Sequence, residues 1–369
     1  MANLIYQTAF IGDLLLSIPL ILRIQQKFPG EQLHLVCRQG FGDFFERSGL
    51  VDKSFEVKKG EGRSPYKTLV SELREVEYEK VWCSHQSVRT ALIMRQIRAK
   101  ERVGFANSWN VWAFEKRVRR EMSWPDAIRQ LSLLSHHDLA LAEDLSQLTG
   151  FENPNRQDVW QAMESGSIPE WCSMSLIGEG RLSKKAQADL ERTKQEVLSL
   201  VGSEKDREIA ILAPGSVWPT KRWTTEGYAE IARTLVENGW RVVVTGTPSE
   251  MEICARIAGS SPGIVDLAGK TSLWETFALM TAARVLISND SGAAHLASCA
   301  ELPTISVFGP TTLDLGYRPW QDRVVVMQRE LPCRPCGKHG SLECPIGTHE
   351  CMTTILADEV LAYLRLLTL

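Results

Sequence analysis

An apolar run passes without a break into small polar residues in the second half of the chain. It reads Val285-Leu286-Ile287-Ser288-Asn289-Asp290-Ser291-Gly292-Ala293-Ala294-His295. The first part predicts a buried strand and the last part a helix, so the junction lies at the carboxyl end of a strand. Free backbone N–H groups and the helix dipole suit an anion at such a junction, especially a diphosphate. An ordinary helix N-cap formed by Asn289 or Asp290 is the competing interpretation.

The same alternation of short strands and helices extends through both halves of the chain. It predicts strands at 4–8, 32–37, 54–57, 80–83, 209–212, 241–245, 285–288 and 304–308. It predicts helices beginning near 12, 41, 65 and 87, and helices at 225–237, 250–258, 273–283 and 291–299. Such alternation indicates an α/β protein with parallel sheets covered by helices. We expect a Rossmann-like domain over residues 1–181, a linker over 182–206 and a second Rossmann-like domain over 207–353.

The bulk properties are those of a globular protein. The chain has 369 residues, of which 44% are hydrophobic and 24% charged, and this length favours two domains. A formal net charge of -3 gives no overall attraction to nucleic acid or to an anionic membrane. The N-terminus lacks a basic region, and no apolar run approaches the roughly 18 residues that span a bilayer. We therefore expect a cytoplasmic protein, with Cys37, Cys83 and Cys254 as buried free thiols.

A second loop supports a ligand site in the second half. Ala213-Pro214-Gly215-Ser216 follows the predicted strand 209–212, and Lys221-Arg222-Trp223 precedes the next helix. Ligands of α/β sheets bind at the carboxyl ends of strands, where this loop offers hydroxyls and two cations. Lys221 suits a phosphate as a point charge, whereas Arg222 suits a structural pair equally well. A third small-residue loop, 308–312, follows the strand 304–308.

Two familiar phosphate-binding patterns are absent from the sequence. The loop after strand 209–212 lacks the Gly-x4-Gly-Lys-Ser/Thr spacing of a P-loop. No Gly-x-Gly-x-x-Gly follows the first predicted strand. The second absence argues against a dinucleotide-dependent oxidoreductase.

In the first half, Ile11-Gly12-Asp13 lies where the first strand meets its helix. A carboxylate near the positive end of a helix is favoured in its charged form. Facing a ligand, Asp13 would accept a proton from a sugar hydroxyl. A helix-capping aspartate is the competing interpretation.

Residues 89–120 are locally basic and carry interleaved aromatic side chains. The cations are Arg89, Arg95, Arg98, Lys100, Arg102, Lys116, Arg117, Arg119 and Arg120, against Glu101 and Glu115. Three interpretations stand for this stretch: a patch for an anionic, partly lipidic acceptor or a membrane surface, a solvated helix face, and, least favoured, a nucleic-acid site. Trp109, Trp112 and Phe114 lie among these cations.

A cysteine cluster near the C-terminus consists of Cys333-x-x-Cys336, Cys344 and Cys351. Four thiolates are a ligand set for structural zinc, with His339 and His349 as alternates. Two disulfides would require an oxidising compartment. We favour a stabilised surface loop, with structural zinc as the alternative.

Together these loops resemble one family, the ADP-heptose–lipopolysaccharide heptosyltransferases of glycosyltransferase family 9. The resemblance covers almost the whole chain. It is carried by Ile11-Gly12-Asp13-Leu14-Leu15-Leu16-Ser17-Ile18-Pro19, Arg102-Val103-Gly104-Phe105, Pro214-Gly215-Ser216, Lys221-Arg222-Trp223, Asn289-Asp290-Ser291-Gly292-Ala293-Ala294-His295-Leu296-Ala297, Phe308-Gly309-Pro310-Thr311, Pro332-Cys333-Arg334-Pro335-Cys336 and Cys351-Met352.

The resemblance implies a fold and a reaction. The fold is GT-B, with two Rossmann-like domains whose parallel sheets face each other across a cleft, and with a C-terminal helix, 354–369, that crosses back to the N-terminal domain. The reaction is an inverting transfer of heptose from ADP-heptose to a Kdo- or heptose-lipid A acceptor, without a bound metal or other cofactor. Its partners are a nucleotide-sugar donor and an anionic glycolipid acceptor, with peripheral contact to the inner face of the inner membrane and no nucleic acid.

The resemblance also assigns roles to individual residues. Asp13 is the general base, and Lys221 stabilises the phosphates of the donor. The donor-binding residues that it implies are Ser216, Lys221, Arg222, Glu250, Asp290, Ser291, Gly292, His295 and Thr311. The acceptor-binding residues that it implies are Thr8, Gly12, Arg89 and Arg102. One departure is Gln7, which stands where members often carry Lys or Arg.

Three further functions remain in competition with this one. A GT-B transferase that uses another nucleotide sugar, or a nucleotide-sugar epimerase, would share the same loops. A family-like binding protein without turnover would share them too, although the retained Asp13, Lys221 and Asp290 argue against it.

Overall fold

The computed structural model describes residues 1–60, 64–107, 109–149, 168–178, 180–202 and 207–368. The chain divides into two units, Met1–Met174 and Ser175–Leu369. The first unit ends earlier than residue 181, where the sequence analysis placed its boundary. Much of the predicted linker is instead the helix Lys184–Val201, which packs against the helix Leu273–Met280 of the second unit.

The first unit contains a six-stranded parallel sheet. Its strands are β1 (Ala2–Tyr6), β2 (Gln32–Arg38), β3 (Lys53–Val57), β4 (Tyr78–Cys83), β5 (Ala99–Phe105) and β6 (Lys116–Val118). They are ordered β3-β2-β1-β4-β5-β6. Every residue of β1 is buried, as is typical of a parallel strand with helices on both faces of its sheet. The order reverses between β1 and β4, the position at which α/β sheets bind ligands.

Helices connect these strands. They are Ile11–Leu15, Ile18–Lys27, Gly42–Arg47, Ser64–Arg74, Val88–Met94, Asp126–Leu131 and Leu139–Thr149, with short 3₁₀ turns at Ser132–Leu134 and Glu170–Cys172. The helix Val88–Met94 begins at Ser87, whose Oγ accepts from the backbone N–H of Thr90 at 3.1 Å. Such a cap satisfies one of the N–H groups that the first helical turn leaves without a partner.

The second unit repeats the same topology. Its strands are β7 (Ile209–Ala213), β8 (Arg241–Val244), β9 (Ile264–Asp266), β10 (Val285–Asn289), β11 (Thr304–Phe308) and β12 (Val324–Gln328). They are parallel and ordered β12-β11-β10-β7-β8-β9, which reverses between β7 and β10. Two parallel α/β units of this kind confirm the predicted fold class.

Helices also flank the sheet of the second unit. They are Lys184–Val201, Thr225–Glu237, Met251–Ala258, Leu273–Met280, Gly292–Cys299, Glu350–Thr353 and Ala357–Thr368, with 3₁₀ turns at Pro219–Lys221, Pro248–Glu250 and Leu313–Leu315. Val360, Leu361 and Leu364 of the last helix are buried in the core formed by β7, β8, β10 and β11. The apolar face of this helix therefore covers the core of its own unit.

The sequence analysis missed four strands. β5 begins with Lys100, Glu101 and Arg102, a charged run that is atypical of a sheet interior. Ion pairs with neighbouring segments allow these charged residues to lie in a strand. Lys100 pairs with Glu79 at 2.6 Å, and Arg102 pairs with Glu115 at 3.0 Å. β6 and β9 have three residues each, and β12 was not recognised.

No helix in the described part of the chain is long and apolar enough to cross a membrane.

Candidate functional site: two loop clusters at the carboxyl edges of the sheets

Asn289, the last residue of β10, holds the ligand-side loops of the second unit together. Its Nδ2 donates to the carbonyls of Pro214 and Gly215 at 2.7 and 3.3 Å. Its Oδ1 accepts from the backbone N–H of Trp223 at 2.9 Å and from the hydroxyl of Tyr228 at 3.1 Å. The side chain is fully buried, and four bonds use both of its polar atoms. Asn289 therefore has a structural role in linking these segments, and it is not the helix cap considered above.

Asp290, the next residue, is the centre of a polar cluster. Its Oδ2 accepts from Lys221 Nζ and from Thr311 Oγ1, each at 2.6 Å. Only 6% of the Asp290 side chain and 12% of the Lys221 side chain are exposed. The loops after β7, β10 and β11 thus meet at the position where the sheet order reverses. The sequence named all three residues, and the structure brings them together.

The helix that follows has no side-chain cap. It spans Gly292–Cys299, its N-cap residue is Ser291, and no side-chain hydrogen bond closes its first turn. The predicted N-cap role of Asn289 or Asp290 is wrong, because both side chains are bonded elsewhere. The N–H groups of the first turn and the positive end of the helix dipole therefore remain available to an anion beside Lys221. His295 is buried on the same helix.

The other predicted donor residues shape the loop after β7. Arg222 Nε donates to the carbonyl of Ser216 at 2.9 Å, so Arg222 takes the structural pairing. Glu250 accepts from the backbone N–H and the hydroxyl of Thr247, both at 2.8 Å. A Cβ on Gly215 would lie 2.1 Å from the carboxyl carbon of Glu250, so any side chain at position 215 would displace the Glu250 carboxylate from its present place. Glu250 thus lies beside the loop that carries Ser216.

The cysteine-rich segment 331–351, here called the cysteine loop, packs against the same cluster. Arg334 donates to the carbonyls of Gly309 and Arg329, and to that of Thr311 at 2.7 Å. Thr220, next to Lys221, donates from its hydroxyl to the carbonyl of Ser341 at 2.6 Å. The cysteine loop therefore braces the segments that carry Thr311 and Lys221.

All nine cysteines of the chain are free thiols. Cys37, Cys83 and Cys254 are buried, as predicted. Among the described residues, no group of three or more His, Cys, Asp or Glu side chains is arranged to hold a metal ion. The contacts of the cysteine loop with Thr311 and Thr220 are those of a stabilised surface loop, and structural zinc stays a prediction.

Asp13 lies in the short helix Ile11–Leu15 after β1, at the reversal of the first sheet. Burial and the nearby charge of Asp126 raise the pKa of its carboxyl to about 6, although Arg120 and the backbone N–H groups of Phe10 and Asp13 act in the opposite direction. A carboxylate whose pKa approaches neutrality is a stronger proton acceptor than an ordinary aspartate. The geometry therefore suits general-base chemistry.

Two cations and one histidine lie at the carboxyl ends of the neighbouring strands of this sheet. Arg38 ends β2, and its Nε donates to the carbonyl of Thr8 at 3.1 Å. Lys59 follows β3, and its Nζ lies 3.4 Å from His85 Nε2, while His85 Nδ1 lies 2.8 Å from Thr90 Oγ1. Burial, with the neighbouring Arg38 and Arg89, lowers the pKa of Lys59 to about 8.

His85 is a neutral hydrogen-bond acceptor for Lys59. Burial, with the charge of Lys59, lowers the pKa of His85 to about 4. Nδ1–H therefore donates to Thr90, and Nε2 accepts from Lys59. Within the described ranges, no carboxylate forms an ion pair with Arg38, Lys59 or Arg89. This edge of the sheet carries excess positive charge next to Asp13.

A glycosyltransferase family 9 (heptosyltransferase) model matches residues 67–346, which is more than half of the chain. The chain belongs to glycosyltransferase family 9. It is 22% identical to lipopolysaccharide heptosyltransferase 2 of Salmonella typhimurium, over 85% of this chain and 84% of that protein. The structure of ADP-heptose LPS heptosyltransferase II from E. coli aligns with a TM-score of 0.73 and 22% identity, covering 100% of this chain and 98% of that one. E. coli heptosyltransferase WaaC, solved with ADP, aligns at 0.68 and 18% identity over the full length of both chains.

Two predicted acceptor residues of this family 9 glycosyltransferase have structural contacts instead. Arg102 donates to the carbonyls of Met94 and Ile97, both at 2.7 Å, and pairs with Glu115. It therefore joins β5 to the preceding helix, and its role toward the acceptor stays a prediction. Thr8 is buried, and its carbonyl holds Arg38.

Gln7 of this glycosyltransferase is part of a buried hydrogen-bond network. Its Nε2 donates to Gln130 Oε1 at 3.1 Å, and its Oε1 accepts from the backbone N–H of Ala9 at 3.1 Å. The amide replaces the usual cation and joins β1 to the helix Asp126–Leu131. Arg38 and Lys59, which follow the neighbouring strands, supply positive charge at the same edge.

Proposed function

We propose that this glycosyltransferase transfers heptose from ADP-heptose to an anionic acceptor of the lipopolysaccharide core, with inversion at the anomeric carbon. The Lys221–Asp290–Thr311 cluster beside an uncapped helix start carries the proposal. Relatives named lipopolysaccharide heptosyltransferase, and the related E. coli enzyme solved with ADP, support the choice of donor and acceptor.

The second unit would bind the diphosphate of the donor. The N–H groups at the start of the helix Gly292–Cys299 would donate to phosphate oxygens, and Lys221 would add a full positive charge. As the glycosidic bond breaks, negative charge grows on the leaving ADP. Preorganised donors that meet this charge each contribute about 3 kcal/mol to the transition state. Because the protein supplies the positive charge, the proposed mechanism requires no metal ion.

The first unit would activate the acceptor. The Asp13 carboxylate would take the proton of the acceptor hydroxyl while that oxygen forms a bond to the anomeric carbon. The bond from the anomeric carbon to the diphosphate oxygen breaks, and its electron pair leaves with ADP. Attack from the face opposite to ADP inverts the anomeric configuration. The pKa of Asp13, about 6, keeps the carboxylate ready for this role at neutral pH.

The acceptor is proposed to carry negative charge and an acyl chain. Arg38, Lys59 and Arg89 would pair with its carboxylate or phosphate groups. A groove of about 770 Å³ lies between the helices Ser64–Arg74 and Val88–Met94. Its lining combines apolar side chains with cations and no carboxylate: Tyr66, Lys67, Val70, Ser71, Arg74, Val88, Arg89, Leu92, Ile93 and Gln96. The guanidinium of Arg89 lies 4.6 Å over the ring of Tyr66, which joins the groove to the cations.

An anionic amphiphile should bind this groove with an affinity that increases with chain length. Each buried methylene contributes roughly 0.8 kcal/mol, or about a fourfold gain in affinity. We expect calorimetry with octyl, decyl and dodecyl phosphate below their micellar concentrations to show this series. Leu92→Asp should abolish the gain in affinity with chain length. Val111→Asp is the control and should keep that gain; Leu92 and Val111 are equally exposed, at 52%. Equal affinities along the series would refute the acyl-chain assignment.

The choice of donor is tested by a nucleotide screen. A ligand that binds only the folded state stabilises it by mass action, by about 2.7 kcal/mol at one hundred times its Kd. We expect ADP to raise Tm, and UDP, GDP and CDP to leave it nearly unchanged. Incubation with ADP-heptose and a lipid acceptor, followed by mass spectrometry, should then show an acceptor heavier by one heptosyl unit. A larger Tm shift with UDP would favour another transferase or an epimerase, and ADP binding without any product would favour a binding protein.

A further inference from the structure

Asp126 is a buried carboxylate in the first turn of the helix Asp126–Leu131. Its Oδ1 accepts from Arg120 at 2.8 Å and from Arg129 at 3.4 Å. Its Oδ2 accepts from Gln130 Nε2 at 2.8 Å. Donors on both oxygens fix the orientation of this carboxylate. Neither the family pattern nor the reaction proposed above uses this residue.

Gln130 connects Asp126 to Asp13. The Gln130 amide nitrogen donates to Asp126 Oδ2 and to the backbone carbonyl of Asp13 at 2.7 Å, which accounts for both of its hydrogens. Its oxygen accepts from Gln7 at 3.1 Å. The turn that carries Asp13 is therefore tied to the helix Asp126–Leu131 by a side chain whose orientation is set from two directions.

Charged groups from several elements act on the Asp13 carboxyl. Asp126 raises its pKa, and Arg120, which follows β6, lowers it. Asp13 also interacts with Arg38, at the end of β2, and with Lys59, after β3. Asp126 is the only negative charge in this set, and it opposes the cations around Asp13.

We propose that Asp126 is a positioning residue for Asp13: it orients Gln130, which holds the backbone carbonyl of Asp13 and thereby sets the place of the Asp13 side chain. This inference rests on the general-base role proposed for Asp13. A purely structural role for Asp126 would give the same contacts but no directed effect on the titration of Asp13.

The first test is Asp126→Asn. The variant removes the negative charge that raises the pKa of Asp13 and keeps the cation Arg120 that lowers it, so we expect the pKa of Asp13 to fall by about one pH unit. Carbon-13 NMR of Asp13, assigned by the loss of its signal in Asp13→Asn, measures this shift without turnover. The acidic limb of the kcat/KM profile should move to lower pH by the same amount. Asp126→Glu, which keeps the charge, should restore the original limb.

The second test is a variant in which the Asp13 titration should shift in the opposite direction. Arg120→Met removes a cation and should move the Asp13 titration and the acidic limb to higher pH. The matched control is Asp138→Asn, which also breaks a buried pair of the first unit, Arg23–Asp138 at 2.6 Å. It should lower Tm as Asp126→Asn does, without moving the limb. The Asp13 titration should shift in opposite directions in Asp126→Asn and Arg120→Met. If one of these variants is too unstable to measure, the other still tests the proposal.

The two readouts separate this inference from the function on which it rests. Unchanged Asp13 titrations in both charge variants would overturn the positioning role. A shifted titration with an unshifted acidic limb would support the coupling between Asp126 and Asp13, and would instead refute Asp13 as the base.

Discussion

Asp13→Asn is expected to reduce the rate of sugar transfer by a factor of about 10²–10⁴, the usual contribution of a general base. The asparagine amide keeps nearly the same shape and cannot accept the hydroxyl proton. Affinity for ADP should stay unchanged, because the proposed diphosphate site lies on loops of the second unit. Calorimetry measures ADP affinity, and single-turnover assays with ADP-heptose measure transfer.

The matched control for this variant is Asp43→Asn. Asp43 is also an aspartate in the first turn of a helix of the first unit, Gly42–Arg47. It pairs only loosely with Arg47, at 3.8 Å. Transfer by this variant should be close to that of the wild type. In the wild type, kcat/KM should fall as the pH decreases through about 6, where Asp13 takes up a proton. A transfer rate for Asp13→Asn within a few-fold of wild type would eliminate Asp13 as the base.

Lys221→Ala is expected to weaken ADP binding by a factor of about 10–100, corresponding to roughly 1.5–3 kcal/mol for a lost charged hydrogen bond. Two effects add. The variant loses an ammonium that would pair with phosphate, and it leaves the buried Asp290 carboxylate without its cation. An unpaired negative charge at the start of the helix would repel the diphosphate. Calorimetric titration with ADP measures the combined loss.

A double substitution separates the two effects. Lys221→Ala combined with Asp290→Asn removes the repulsive charge, so it should bind ADP more tightly than Lys221→Ala alone. The control is Lys194→Ala, which also breaks a lysine–carboxylate pair of the second unit, Lys194–Glu191 at 2.5 Å, on the helix Lys184–Val201. Its ADP affinity should equal that of the wild type. Unchanged affinity in Lys221→Ala would place Lys221 outside the donor site and leave it a structural partner of Asp290.

The donor cluster was predictable because its residues follow strands directly. Asp290 follows β10, Thr311 follows the end of β11 closely, and Lys221 lies in the loop after β7. The carboxyl ends of parallel strands meet at one edge of a sheet, so local patterns were enough to group these residues. The role of Asn289 was not predictable, because its four bonds reach segments that are distant in sequence.

The contacts of Arg102 could not be predicted from the sequence. Arg102 looked like a binding residue because it lies in a basic stretch and in a family motif. Its bonds to Met94, Ile97 and Glu115 depend on how β5 packs against the preceding helix. Lys59 and His85 carried no motif at all. A signal was present only in their placement within the short polar segments 58–59 and 84–87 that follow β3 and β4.

The sequence by itself determined the alternation of strands and helices, the two α/β units and the loops that hold Asp13, Lys221 and Asp290, because hydrophobic periodicity and turn chemistry act between near neighbours. Only the tertiary structure decided which charges are paired, which are opposed and which are shielded from water. Asp13 shows the difference. Its position after β1 can be predicted from the neighbouring residues alone, whereas its pKa of about 6 results from burial and from Asp126 and Arg120, more than one hundred positions away. Electrostatic energy depends on distance through space and on solvent exclusion, and neither is a property of local sequence.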